Sequence, residues 1–314
     1  MSAVQIASVN TPSSEPDRAS WYEASARQRI RSLLDAGSFE EFIGPEQREL
    51  SPHLGIFNLP AQFDDGMIVG RGRLRGEPVF IAAQEGRFMG GAFGEVHGAK
   101  LTGLVRAARD ATSIPLLILF DTGGVRLQEA NAGEVAIAEI MRAIIEARLA
   151  GVKVVGLIGG RAGCYGGGSL IAGCCSALAI SEHGRLSVSG PEVIETNRGV
   201  EEFDSKDRAL VWRTMGGKHR RLIGAVDAFV DDTMSAFRDA AVRLIESGPR
   251  FGADVLDAEQ ARLEDRLARF GTCADALDVW TSAGVDAAAA VPALPSEEFI
   301  ALADKVRSIR HDAR

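Results

Sequence analysis

Lysine is scarce in this 314-residue chain, with only Lys100, Lys153, Lys206, Lys218 and Lys305. Together with a formal net charge of −8, that argues against a surface built for nucleic acid and leaves the arginines as local anion sites. Cysteine is equally sparse. Cys164, Cys174, Cys175 and Cys273 form no CxxC pair and no Cys/His group of zinc spacing, which excludes a structural metal. The vicinal Cys174-Cys175 pair falls inside an apolar helix of the sequence pattern and reads as buried thiols of a cytoplasmic protein. No apolar run approaches the roughly 20 residues that span a bilayer, and no basic start precedes an apolar core, so neither membrane insertion nor secretion is expected. There is no GxxxxGK followed by Ser or Thr, no GxGxxG at a strand end and no GxSxG elbow, which removes the P-loop, dinucleotide and serine-hydrolase readings.

Glycine, by contrast, is abundant, and its placement carries the rest of the reading. Residues 1–20 are polar with two prolines and predict a mobile arm. A short helix follows over "SARQRIRSLLDAGSFEEF", with Gly37 as its stop. Met67–Val69 and Pro78–Ala83 read as a hairpin. Beyond them, strands at 115–120, 152–158, 177–181 and 185–189 alternate with helices near 99–110, 132–149 and 167–175. That pattern predicts an α/β domain over 21–249 with a mainly parallel sheet. Residues 250–314 carry helical signals alone and predict a helical tail, docked on its own domain or a sister subunit, or serving a carrier protein.

Two of these strands end in bare backbone: "FDTGGVRLQE" at 120–129 and "GGRAGCYGGGS" at 159–169, the latter leading into a helix. Amide N–H groups at such a helix start point outward with the positive end of the dipole. Two glycine turns on neighbouring strands can aim two amides at one carbonyl oxygen, the arrangement a thioester enolate requires. Tight turns and close helix packing are the structural alternative.

Six blocks widen the argument: "RIRSLLDAGSFEEF" (29–42), "DGMIVGRGRLRGEPVFIAA" (65–83), "FMGGAFGEVHGAK" (88–100), "LFDTGGVRLQE" (119–129), "GRAGCYGGGSLIAG" (160–173) and "SVSGPEVIET" (187–196). In order and spacing they resemble the acyl-CoA carboxyltransferase family, which has the crotonase-like fold. The likeness covers roughly residues 25–230. Within the family, residues 197–232 are similar to β subunits acting on malonate carried as a thioester of an acyl carrier protein. The resemblance implies release of CO2 through an enolate held in backbone oxyanion holes. It also implies a γ subunit of related fold, the acyl carrier protein and an acyl-carrier transferase subunit as partners. No cofactor is implied on the chain itself; the CoA-derived prosthetic group belongs to the carrier. Two other outcomes stay open: transfer of the carboxyl group to biotin, and a non-catalytic scaffold for the γ subunit. The chain lacks the family's four-cysteine zinc ribbon and its biotinyl AMKM motif, and its length holds one crotonase-like domain, so a separate partner is expected.

Carried over residue by residue, the resemblance assigns oxyanion N–H groups to Gly123, Gly124 and Val125 and to Gly166 and Gly167, with Met89, Gly90 and Gly91 near the thioester arm. Tyr165, Glu192 and His97 are candidates for protonating the enolate, His97 also reading as a hydrogen-bonded core residue. Arg126 and Glu129 read either as an exposed ion pair or with Arg126 holding a substrate carboxylate or carrier phosphate.

Overall fold

A computed structural model of the chain describes residues 19–248 and 250–312. The arm expected at 1–20 lies outside them except for its last two residues. In chain order the elements are α1 (Ala26–Leu33), β1 (Glu40–Glu41), β2 (Met67–Leu74), β3 (Glu77–Gln84), α2 (Glu95–Ala111), β4 (Leu116–Phe120), α3 (Asn131–Leu149), β5 (Val154–Ile158), β6 (Cys164–Tyr165) and α4 (Gly167–Gly173). They continue with β7 (Ala177–Ser181), β8 (Leu186–Ser187), α5 (Pro191–Arg198), α6 (Arg208–Met215), α7 (Gly217–Leu222), β9 (Ala228–Val230), α8 (Met234–Glu246), α9 (Ala253–Phe270), α10 (Ala276–Ser282) and α11 (Ser296–Asp312).

Seven strands form one sheet in the order β1-β2-β3-β4-β5-β7-β9, parallel from β3 onward. The expected strand at 185–189 shrinks to β8 and leaves this sheet, pairing with β6 instead. Alternation along β4 builds both faces: Leu116, Ile118 and Phe120 enter one hydrophobic cluster, and Leu117 and Leu119 the other. The first cluster packs under α2, α3, α10 and α11; the second lies under α1 and α8.

Local chemistry explains the element ends. Ser25 and Gln28 form a capping box that starts α1. The helix stops at Leu33, short of the expected Gly37, because Asp35 N donates to Arg73 O (2.8 Å) and draws the chain onto β2. The β2–β3 turn, Arg75-Gly76, has φ +51° and +86°, the two-residue geometry that matches strand twist, and the Asp35 carboxylate accepts both of its amides. Helix α4 likewise ends early, at Gly173. Cys174 caps it half-buried, and buried Cys175 lies just beyond, so the pair is not within a helix.

Beyond residue 250 the chain is helical, as its pattern predicts. Trp280, Phe299 and Val306 share the sheet's own core, and the Phe229 and Phe299 rings meet at 4.7 Å. Trp280 Nε1 donates to His219 Nδ1 (3.1 Å), and burial holds that imidazole neutral with a pKa of about 3. Helix α9 differs, burying none of its residues.

Candidate active site: two glycine turns in contact

The glycine turns that end β4 and β5 meet. Thr122 and Cys164 form a parallel bridge, with Thr122 N donating to Gly163 O (2.8 Å) and Tyr165 N to Thr122 O (3.0 Å). Gly124 has φ +122° and Gly166 φ +54°, conformations L side chains rarely adopt. A Cβ on Gly166 would lie 3.2 Å from Gly124 Cα, and one on Gly124 would lie 3.4 Å from Gly166 Cα. The neighbouring turn crowds a side chain at Gly166, and at both positions the backbone conformation calls for glycine.

Backbone donors show which amides remain free for a ligand, because an N–H spent inside the chain cannot bind an oxyanion. Gly123 N donates to Gly90 O (2.8 Å), Gly124 N to Thr122 Oγ1 (3.1 Å) and Gly166 N to Val188 O (2.9 Å). These three expected donors are thus committed. Among the described residues, the amides of Val125, Gly167 and Gly168 have no acceptor. The Val125 nitrogen lies about one van der Waals contact, 4.0 Å, from where a Gly166 Cβ would stand. One free amide therefore borders the other turn, whose helix α4 begins with two more.

Asp121 fixes the spacing. Buried at the end of β4, its carboxylate pairs with Arg29 of α1 (2.8 Å) and accepts Ala162 N from the loop before the second turn (2.7 Å). A Cβ at Gly86 or Gly160 would overlap that carboxylate. Neither Asp121 nor Arg29 was singled out in the sequence. The only signal was an aspartate inside "FDTGG" and an arginine at a core-facing position of a short helix.

Met89, Gly90 and Gly91 form a 3-10 turn against the first glycine turn. Arg126 corrects both sequence expectations: it is neither exposed nor available to a ligand. Its side chain has 0% exposure and pairs with Asp65 (2.9 Å) and Glu129 (2.7 Å). Burial opposes the Glu129 charge, but the Glu95 amide, the Ser51 hydroxyl and Arg126 together hold its carboxyl below the usual range. At Asp65 burial prevails over Arg126 and raises the carboxyl. The network anchors the chain next to Val125, whose neighbour Arg126 donates N–H to Phe93 O (2.9 Å).

His97 is the core histidine. Its Nδ1 donates to Asp65 O (3.0 Å), its Nε2 accepts from Gln84 Nε2 (3.2 Å), and burial, aided by Arg126, lowers its pKa to about 3. A neutral imidazole so bonded supplies no proton to an enolate. Tyr165 is buried against Val211 and Met215, its hydroxyl lacks a partner, and burial raises its pKa. Glu192 is exposed in the first turn of α5. No group of three or more His, Cys, Asp or Glu among the described residues is placed to hold a metal ion. No described helix is long and apolar enough to cross a membrane.

A mainly parallel crotonase-like sheet with two glycine turns in contact defines a carboxyltransferase architecture, and the chain belongs to the carboxyl transferase domain family, whose model matches residues 23–244. It is 38% identical over 310 residues to the malonyl-S-ACP:biotin-protein carboxyltransferase of Malonomonas rubra, covering 92% of this chain and 97% of that protein. Among solved structures it is similar to a chain of the Pseudomonas malonate decarboxylase hetero-tetramer in complex with malonate. That match has 40% identity and a TM-score of 0.76, over 84% of this chain and 97% of the other. The transcarboxylase 12S subunit matches at 26% identity and a TM-score of 0.61, over 72% of this chain and 42% of that one.

Proposed function

We propose that this chain is the catalytic β-type subunit of a malonate decarboxylase, converting malonyl-thioester on an acyl carrier protein to acetyl-thioester and CO2. The observation that carries the reading is the contact of the two turns, with unpaired amides at Val125 and Gly167. The bond between the carboxylate and the methylene carbon breaks, its electron pair enters the thioester carbonyl, and CO2 leaves. Negative charge thereby develops on the thioester oxygen, where fixed amide donors stabilise it; one such donor is worth about 10²- to 10³-fold in rate. A proton then reaches the methylene carbon, with Tyr165 or Glu192 as the side chains on these blocks that remain candidates. The CoA-derived arm is the carrier's and reaches the turns past Met89–Gly91.

A γ subunit of related fold is the proposed cover of this site, with the carrier and an acyl-carrier transferase as further partners. Leu127, Val135, Leu170, Val188 and Val193, all within a few residues of the turns or on the helices packed beside them, are exposed and favour such a cover.

The name of the Malonomonas rubra relative supports a second reading, in which the same enolate-forming step delivers the carboxyl group to biotin. The chain copurified with its partner subunit is to be assayed for CO2 release from malonyl-carrier with and without avidin, beside the isolated chain. Expected are avidin-insensitive release from the complex and none from the chain alone. Release abolished by avidin would establish the biotin reading instead.

A further inference from the structure

Beside the second turn lie three buried polar atoms without partners: the Tyr165 hydroxyl, Arg185 Nε and Arg220 Nε. The backbone holds their residues together. Cys164 N donates to Arg185 O (2.8 Å), Arg185 pairs with Gly216 in an antiparallel bridge, and Gly216 caps α7, accepting Arg220 N (3.0 Å). The Arg185 guanidinium lies over the Trp212 ring at 4.7 Å and 6.0 Å from the Tyr165 ring, and it donates to Arg161 O.

Neither Arg185 nor Arg220 has a carboxylate partner among the described residues. Arg29 and Arg126, by contrast, each face a carboxylate, Asp121 at 2.8 Å and Glu129 at 2.7 Å. Burial lowers the Arg220 guanidinium to about 10, Arg266 repels it, and Tyr165 partly offsets both. Glu192, whose charge reaches Tyr165, stands exposed on α5 and pairs with neither arginine. Two guanidinium Nε atoms and a hydroxyl buried without a partner are costly, and a planar carboxylate satisfies such groups best because it accepts paired N–H donors.

We propose that Arg220, Arg185 and Tyr165 form a carboxylate subsite that takes the free carboxylate of the acyl group whose thioester oxygen rests on the Val125 and Gly167 amides. This rests on the malonyl-thioester reading and adds to it the residues that select a dicarboxylic acyl group. Tyr165 directly precedes Gly166, so one short segment carries both subsites. The carboxylate leaves as neutral CO2, and the acetyl product loses its hold on the arginines. Recognition of this kind acts on substrate binding, with turnover set at the oxyanion amides.

The test uses the intact complex carrying Arg220→Met or Arg220→Lys. Read out are KM and kcat for malonyl-carrier, inhibition by acetyl-carrier, and calorimetric binding of free malonate with acetate as control. A charge-assisted pair predicts that Arg220→Met raises KM about 30-fold or more. Malonate binding is lost, acetyl-carrier inhibition stays within about twofold, and Arg220→Lys recovers part of the loss. An Arg220→Met complex that keeps its partner and its circular dichroism, yet has unchanged KM and malonate affinity, overturns the subsite. Equal weakening of malonyl- and acetyl-carrier also overturns it, as does failure of the unsubstituted complex to bind malonate. If that complex binds malonate but releases no CO2, the functional reading fails, and the effect of Arg220→Met on malonate affinity still decides the subsite.

Discussion

Val125 is a catalytic candidate that glycine-reading finds only by adjacency. A glycine in a sequence reports that a Cβ is unwelcome, and it says nothing about where the amide proton goes. Gly123, Gly124 and Gly166 were legible as a turn pair because their spacing after buried strands is unusual, yet all three amides are spent inside the chain. Arg126 failed for a related reason. Its ion partner Asp65 is 61 residues away, and nothing local shows that the guanidinium is buried. A side chain at Gly166 meets two penalties: left-handed backbone at φ +54° and Gly124 Cα at 3.2 Å. Gly166→Ala is expected to cost about 1–3 kcal/mol of stability and to push the turns apart. Turnover should fall by about 10²-fold, the order of one lost oxyanion donor. Steady-state CO2 release and a urea midpoint measure both. Wild-type turnover in the folded variant would remove the turn-to-turn contact from the mechanism.

The long elements were readable and the short ones were not. The fully buried runs of β4 and β5 and the 17- and 19-residue helices α2 and α3 carry enough residues for periodicity to show. Strands β1, β6 and β8 have two residues each and β9 three, too few for any pattern, although β6 and β8 frame the second turn. Between elements, Arg29 on α1 reaches Asp121 at the end of β4 across 92 residues. Removing one partner of a buried pair leaves an uncompensated charge, at about 3–5 kcal/mol. Arg29→Met is therefore expected to lower stability by that amount and to slow turnover by loosening the Asp121 hold on Ala162. Arg29→Met combined with Asp121→Asn should recover much of the stability, since no charge is stranded, without restoring full turnover. Denaturant midpoints and kcat of the single and double variants measure the coupling. Additive stability losses would show that the pair does not act as a unit.

At the scale of the whole molecule, chemistry and stability should respond to pH in different ranges. Carbon–carbon cleavage requires a carboxylate already ionised, with a reference pKa near 4, and amide donors that do not titrate, so its rate should be nearly flat between about pH 6 and 8. Stability depends on pH elsewhere, through His97 on α2 and His219 on α7 against Trp280 of α10, both held neutral by burial with pKa values of about 3. An unfolded histidine takes up a proton near pH 6.5, while these two stay unprotonated in the fold until about pH 3. The unfolded chain therefore binds more protons throughout that window, and each histidine removes up to about 1.4 kcal/mol per pH unit as pH falls through it. Their contribution is complete above about pH 6.5 and lost progressively toward pH 3. His219→Gln, which keeps an acceptor for Trp280 Nε1, should flatten the acid limb of the stability curve by one proton and leave the rate profile between pH 6 and 8 unchanged. Urea unfolding at several pH values, beside single-turnover CO2 release, separates the two. An acid limb of unchanged slope in the folded variant would show that His219 is not one of the groups whose protonation drives acid unfolding.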